Sequence, residues 1–251
     1  MIREDCLNTF FKISNSPNWS CPSCNKGIIK LKKEDLKLFE TRESYFSRIE
    51  FLDALYPTRY RFSSFLTCSD KECQDTVIVT GNAEHDIDDV NTETGVQIWE
   101  LYIFPQYFNP SLEIIKVESN YPEKIQSLLK STFELFWIDL SSCANKIRTT
   151  LEVLLDQQKI KKITIKNRKK TKLTLDARIS LFGNSRNQQV SDILKAIKWI
   201  GNEGSHSSNI DRKSVLMGFK LLEYCLDEIF PARKKEILRV AKQINKHKKY
   251  K

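Results

Sequence analysis

Two cysteine pairs constrain this chain more than anything else in it. Cys21-Pro22-Ser23-Cys24 places two thiols around two residues, and Cys68-Ser69-Asp70-Lys71-Glu72-Cys73 places two more around four. The tighter spacing lets two sulfurs share one ion, and structural metal sites usually take four ligands from two such turns. About forty residues separate the pairs, but the cost of closing a loop grows only logarithmically with its length. A fold that uses both pairs must therefore bring two distant turns together. Thiolates suit zinc, and four of them leave no open coordination position. Cys21, Cys24, Cys68 and Cys73 are accordingly expected to hold a structural zinc ion with no catalytic role. The competing reading is four free buried cysteines, or one intact pair beside an unused one.

The redox setting bears on that choice. Residues 1–20 are polar and lack the apolar run and small-residue cleavage site of a secretory leader. No apolar stretch approaches the roughly twenty residues needed to cross a bilayer. A cytoplasmic protein with reduced thiols and no membrane partner is the expectation, so paired cysteines read as metal ligands before disulfides. Cys6, Cys143 and Cys225 stand in helical or flanking contexts and read as core thiols, with His85 a lesser candidate ligand. Net charge is +9, which favours polyanionic partners but carries no information about fold.

Along the chain, each cysteine pair abuts an extended run: Ile28 to Leu31 after the first, Tyr60 to Thr67 and Thr76 to Thr80 around the second. That is the layout of a zinc ribbon. Residues 34–55 carry apolar positions at helical spacing, from Leu36 to Leu55. Residues 82–95 are acidic and read as a solvated loop, and Trp99 to Phe104 as another strand. Pro105, Pro110 and Pro122 then punctuate an apparent linker. After Pro122 the pattern becomes helical. Glu123 to Leu140 is followed by a helix capped at Ser141 or Ser142, a basic loop at 159–172, and a short helix from Thr174 to Gly183. Val190 to Ile200 follows, and Asp211 caps a helix ending near Phe230. The expected class is α+β, with a zinc-ribbon-like region at 1–97, a strand and proline-rich linker at 98–120, and an all-α bundle with a basic tail at 121–251.

The segment Lys195-Ala196-Ile197-Lys198-Trp199-Ile200-Gly201-Asn202-Glu203-Gly204-Ser205-His206 breaks its own helical pattern with two glycines. Each costs a helix interior about 1 kcal/mol relative to alanine. Such a break marks either a helix end at Gly201 or a site. If the helix continues, Asn202 and His206 share one face. This segment, with Ile147-Arg148-Thr149-Thr150-Leu151-Glu152 before it, resembles the HEPN-like domain of unknown function catalogued as four-one-four-five, over about residues 98–230. That family recurs in bacteria, behind zinc ribbons and fused to restriction subunits, which implies a defence setting. The wider HEPN group includes dimeric ribonucleases with an arginine, a polar residue and a histidine. By that resemblance His206 would move protons, Asn202 fills the polar position, and Arg148 would supply the phosphate-holding guanidinium that Gly201 does not. Structural roles compete: His206 bonding backbone, and Arg148 pairing with Glu152.

Lys159, Lys161, Lys162, Lys166, Arg168, Lys169, Lys170 and Lys172 lie in one stretch without an acid. Such one-signed charge suits phosphate contact, and Lys161, Lys162, Lys166, Arg168, Lys169 and Lys170 are the expected contacts, with Lys198 nearby. No aromatics are interleaved, so base stacking is not indicated. Three functions compete: a non-catalytic nucleic-acid-binding or scaffold protein on RNA or DNA, a metal-independent homodimeric ribonuclease, and a protein-interaction module of a defence or toxin–antitoxin complex.

Overall fold

The computed structural model describes residues 9–50, 57–166, 168–206 and 210–247, without the side chains of residues 166, 205, 206 and 232–236. The chain is α+β, with an antiparallel sheet in its N-terminal part and helices in its C-terminal part. Two compact units form: one from residues up to Ile114 with Phe133–Ile138, the other from Ile115–Thr132 with Asp139 onward.

In the sheet unit the strands are β1 (Phe11–Lys12), β2 (Asn18–Ser20), β3 (Ile28–Lys30), β4 (Lys37–Glu40), β5 (Thr58–Thr67), β6 (Thr76–Val90) and β7 (Gln97–Asn109), with helix α1 (Arg42–Glu50) between β4 and β5. Five of them form one sheet in the order β1-β7-β6-β5-β4, and β2 and β3 form a separate hairpin. Period-two alternation sets the faces: Phe62, Ser64 and Leu66 of β5 are buried while Arg61 and Phe65 are exposed. Trp19 of β2 completes the core, its ring 5.5 Å from Phe11 and 5.3 Å from Phe108. Phe108 in turn lies 4.7 Å from Trp137.

Three expectations fail here. Residues 34–55 are not one helix: Lys37–Glu40 pairs with β5 in the register Leu38↔Phe62, and only Arg42–Glu50 is helical, while residues 51–56 lie outside the described set. The acidic stretch 82–95 is largely strand, because its side chains find partners on other strands of the sheet: Glu84 with Arg59 on β5, and Asp88 with Tyr102 on β7 and Lys12 on β1 beyond it. Only the turn at 91–96 is loop. The strand expected at Trp99 to Phe104 forms, but the linker does not begin at Pro105, since β7 runs through it to Asn109. Proline cannot donate to a ladder, and it is tolerated where the register slips between Thr80 and Gly81. Gly81 sits opposite, where a Cβ would meet the Phe104 carbonyl oxygen at 2.2 Å.

The helical unit contains α2 (Glu123–Ile138, its last turns belonging to the sheet unit), α3 (Leu140–Gln157), α4 (Leu175–Ser185), α5 (Gln188–His206), α6 (Arg212–Ile229) and α7 (Ala232–His247). Its core draws Ile147, Leu151 and Leu154 from α3, Leu194 and Ile197 from α5, and Phe219, Leu222 and Leu226 from α6. Thr174 and Asp211 cap α4 and α6, accepting from the N–H groups of Ala177 and Ser214. Asp139, not Ser141 or Ser142, caps α3, because its carboxylate reaches the N–H groups of both serines. The bundle is not all-α. The basic stretch folds as a hairpin of β8 (Ile163–Lys166) and β9 (Lys169–Lys172), in the register Ile163↔Lys172. The β-branched run Ile163-Thr164-Ile165 favours strand over loop.

Candidate functional site

The two turns bearing cysteines come together at the ends of two hairpins. Cys21 and Cys24 lie in the β2–β3 turn, which closes through Cys21 N–H to the Gly27 carbonyl at 2.9 Å. Cys68 and Cys73 lie in the β5–β6 turn, closed by Cys68 N–H to the Asp75 carbonyl at 2.9 Å. The turns join through Ser69 N–H to the Ile28 carbonyl (3.0 Å) and Ile28 N–H to the Ser69 hydroxyl (2.9 Å).

All four Sγ atoms lie within 4.8 Å of one another. Cys21 and Cys73 stand 3.9 Å apart, Cys24 and Cys68 3.7 Å. A tetrahedral ion bound by thiolates at about 2.3 Å spaces its sulfurs about 3.8 Å apart, so the arrangement is compatible with one metal ion. Backbone donors surround the sulfurs. Gly27 and Lys26 N–H groups point at Cys24 Sγ (3.4 and 3.5 Å), and Asp70 N–H at Cys68 Sγ (3.4 Å). The N–H groups of Gly27 and Lys26 pull the Cys24 thiol down to about 7. Burial pushes the Cys68 thiol up to about 12. A buried thiolate there is costly unless a cation shares its charge.

Gly27 makes this geometry reachable. A Cβ at that position would stand 2.2 Å from Cys68 Sγ and 2.9 Å from the Asp70 backbone nitrogen. Asn25 adopts φ of 56° in the same turn, a left-handed conformation that asparagine tolerates. The run Cys24-Asn25-Lys26-Gly27 contained this signal, but the need for a glycine appears only once the second turn is in place.

Cys143 and Cys225 are buried in the bundle, their thiols raised by burial, and Cys6 lies outside the described residues. His85 sits on β6 with its ring 5.3 Å from Trp99 and is not among the clustered ligands.

In the bundle, α5 runs unbroken through both glycines to His206. The reading of Gly201 as a helix end is therefore wrong. A Cβ on Gly201 would meet Arg148 Cβ at 2.6 Å, and one on Gly204 would meet Ala144 Cβ at 2.8 Å and the Ser141 carbonyl oxygen at 2.9 Å. The glycines let α3 and α5 pack closely. Asn202 follows Gly201 and is partly exposed. The His206 side chain lies outside the described residues. Arg148 opens into a cavity whose lining includes Glu152 and Asp156 but not Asn202, and no ion pair links Arg148 to Glu152 among the described residues.

The cations separate into two kinds. Lys161, Lys169 and Lys170 are exposed on or beside the hairpin, Arg168 occupies its turn with φ of 62°, and the Lys166 side chain lies outside the described residues. Lys162 is held by Asp156 at 2.7 Å. Lys198 is only 7 % exposed and its ammonium is held by Asp176, so it ties α5 to α4 and is no surface contact.

Residues 9–108 match the family described as Domain of unknown function (DUF8608), and residues 130–247 that described as Domain of unknown function (DUF4145). The first span contains the sheet and both cysteine pairs; the second contains α3 to α7 and the basic hairpin. No curated protein and no solved structure matches the chain.

Proposed function

We propose that this chain is a non-catalytic nucleic-acid-binding protein with a structural zinc ion held by Cys21, Cys24, Cys68 and Cys73 in a zinc-ribbon-like sheet unit. Four sulfurs at these separations suit zinc, and four thiolates leave no position open for chemistry. The HEPN-like helical unit carries the binding surface. The observation that supports it is the β8–β9 ribbon. Strand β9 exposes lysine along its length: Lys169, Lys170 and Lys172 are exposed, and no acid lies between 159 and 172. Cations held on a hydrogen-bonded ribbon keep a fixed spacing, and a two-stranded ribbon is narrow enough to enter the major groove of a duplex.

Phosphate contact predicts steep salt dependence. Anisotropy titrations of labelled duplex and single strands, between about 50 and 200 mM salt, test it. Lys169→Ala with Lys170→Ala should lower the slope of log affinity against log salt by about 2. Absence of binding at the lowest salt, or affinity indifferent to salt, removes the reading.

A further inference from the structure

We propose that the open face of the five-stranded sheet binds single-stranded nucleic acid by stacking unpaired bases on Phe39, Phe65 and Phe104. The site lies wholly in the sheet unit and takes nothing from the β8–β9 ribbon, so it stands or falls apart from the reading above.

Alternation gives the sheet two faces. One buries Phe62, Leu66, Val79 and Ile103. On the other, Phe39, Arg61, Asn82 and Phe104 stand in register across β4, β5, β6 and β7. At about 4.8 Å between strands, Phe39 and Phe104 are about 14 Å apart. Phe65 lies four residues along β5 from Arg61, hence on the same face. Phe39 is 64 % exposed and Phe65 54 %. Phe10, also exposed, extends the row with its ring 5.3 Å from that of Phe104.

Single exposed apolar residues are ordinary, but these rings share one face and polar groups separate them. Arg61, Ser63, Thr80 and Asn82 lie between them in the register. The centre of an interface between two copies is depleted of charge, so this pattern does not suit self-association. It suits a strand of nucleic acid, because every base offers a π-face to an aromatic ring and the backbone needs cations close by.

The charges on this face agree. Glu84 is held by Arg59 at 3.1 Å, and Asp88 by Lys12. Asp86 and Glu100 stand opposite one another further along β6 and β7, away from Phe65. At the aromatic end, Lys37 and Arg61 have no carboxylate partner among the described residues. Arg61 Nη1 donates to Asn82 Oδ1 at 2.8 Å, which leaves the other guanidinium donors for phosphate or for stacking on a base. A recess of about 260 Å³ is lined by Arg61, Asn82 and Phe104 among others. That is less than a whole small ligand needs, and a splayed base read on its edge by an amide is the kind of group it fits.

Anisotropy titrations of the full chain test the site, with labelled oligothymidylate of about 12 nucleotides, oligouridylate and an abasic strand of the same length, and a duplex. Oligothymidylate should bind more tightly than the abasic strand of equal charge. Phe39→Ala and Phe65→Ala should each weaken it about tenfold, with the salt slope and the unfolding midpoint unchanged, and Phe39→Tyr should retain affinity. Arg61→Ala should instead lower the salt slope by about 0.7. Tighter binding of oligouridylate than of oligothymidylate assigns the face to RNA; the reverse assigns it to DNA. The proposal is overturned if the abasic strand binds as well as oligothymidylate, or if Phe39→Ala with Phe65→Ala binds like wild type. It is also overturned if that double variant changes the particle mass in light scattering, which would make the face a contact between copies. Lys169→Ala with Lys170→Ala should leave the preference for bases over the abasic strand intact, so the ribbon can fail while this site stands. Duplex affinity that depends on those lysines, without any base preference in the single strands, is the opposite case.

Discussion

Gly27 lies so close to Cys68 that a single added carbon would fall 2.2 Å from the Cys68 sulfur. The sulfur cluster depends on a position that supplies no ligand. Because Gly27 N–H also donates to Cys24 Sγ, this one residue touches both cysteine turns.

Gly27→Ala should therefore empty the centre while all four thiols remain. Purified variant should carry well under one metal per chain by mass spectrometry, and lose about 3 kcal/mol or more of stability. Full metal occupancy in Gly27→Ala would refute the role given to this contact.

Chelation gives the complementary result. A strong chelator should lower the unfolding temperature of the wild-type protein. It should leave a Cys21→Ser, Cys24→Ser double variant, already metal-poor, nearly unchanged. An identical chelator response in both proteins would exclude the cysteine cluster as the metal's location.

In the bundle, alanine at Gly204 tests why the glycine is there. Helix propensity alone predicts a gain of about 1 kcal/mol. The Ala144 side chain and the Ser141 carbonyl predict a clash, and overpacking of this kind costs about 1–3 kcal/mol. Denaturant unfolding should show net destabilisation. A more stable Gly204→Ala protein would mean that α3 and α5 do not pack so closely.

Asp156 should control the acid limit of the bundle. Burial opposes its ionisation, but hydrogen bonds from Lys162 and Arg178 outweigh that and hold its carboxyl below the usual carboxylate range. A depressed carboxyl contributes stability that is present above its unfolded value, about 3.9. That stability is lost as pH falls through the folded value. Asp156→Asn should flatten the loss of stability below about pH 4. At neutral pH it should cost about 3 kcal/mol, because Arg178, 5 % exposed, loses its counter-charge. An unchanged acid limb would sink this assignment.

Lys198 and Lys169 should separate stability from binding. Lys198→Met removes a buried ammonium from Asp176 and should cost about 1 kcal/mol, the pair being half open to water. It should leave nucleic-acid affinity unchanged. Lys169→Ala should do the opposite.

Features that depend on neighbours in the sequence were readable there. The caps Thr174 and Asp211 lie just ahead of the helices they start, and each cysteine pair is a local turn. Where partners lie far off, the reading failed. The acids of β6 look like loop until Arg59, Lys12 and Tyr102 are set beside them. Pro105 looks like a linker until Gly81 faces it across a register slip.

Residue spacing alone determined that four thiols occur in two turns, that the chain changes from extended to helical near Pro122, and that one basic stretch carries no acid. Only the tertiary structure decided that the turns meet with Gly27 between them, and that Gly201 and Gly204 continue a helix. It also left Arg148 facing a cavity while Lys162 and Lys198 are tied to carboxylates. The physical reason is that spacing records which groups a segment can present, whereas pairing and close approach are set by residues distant in the chain.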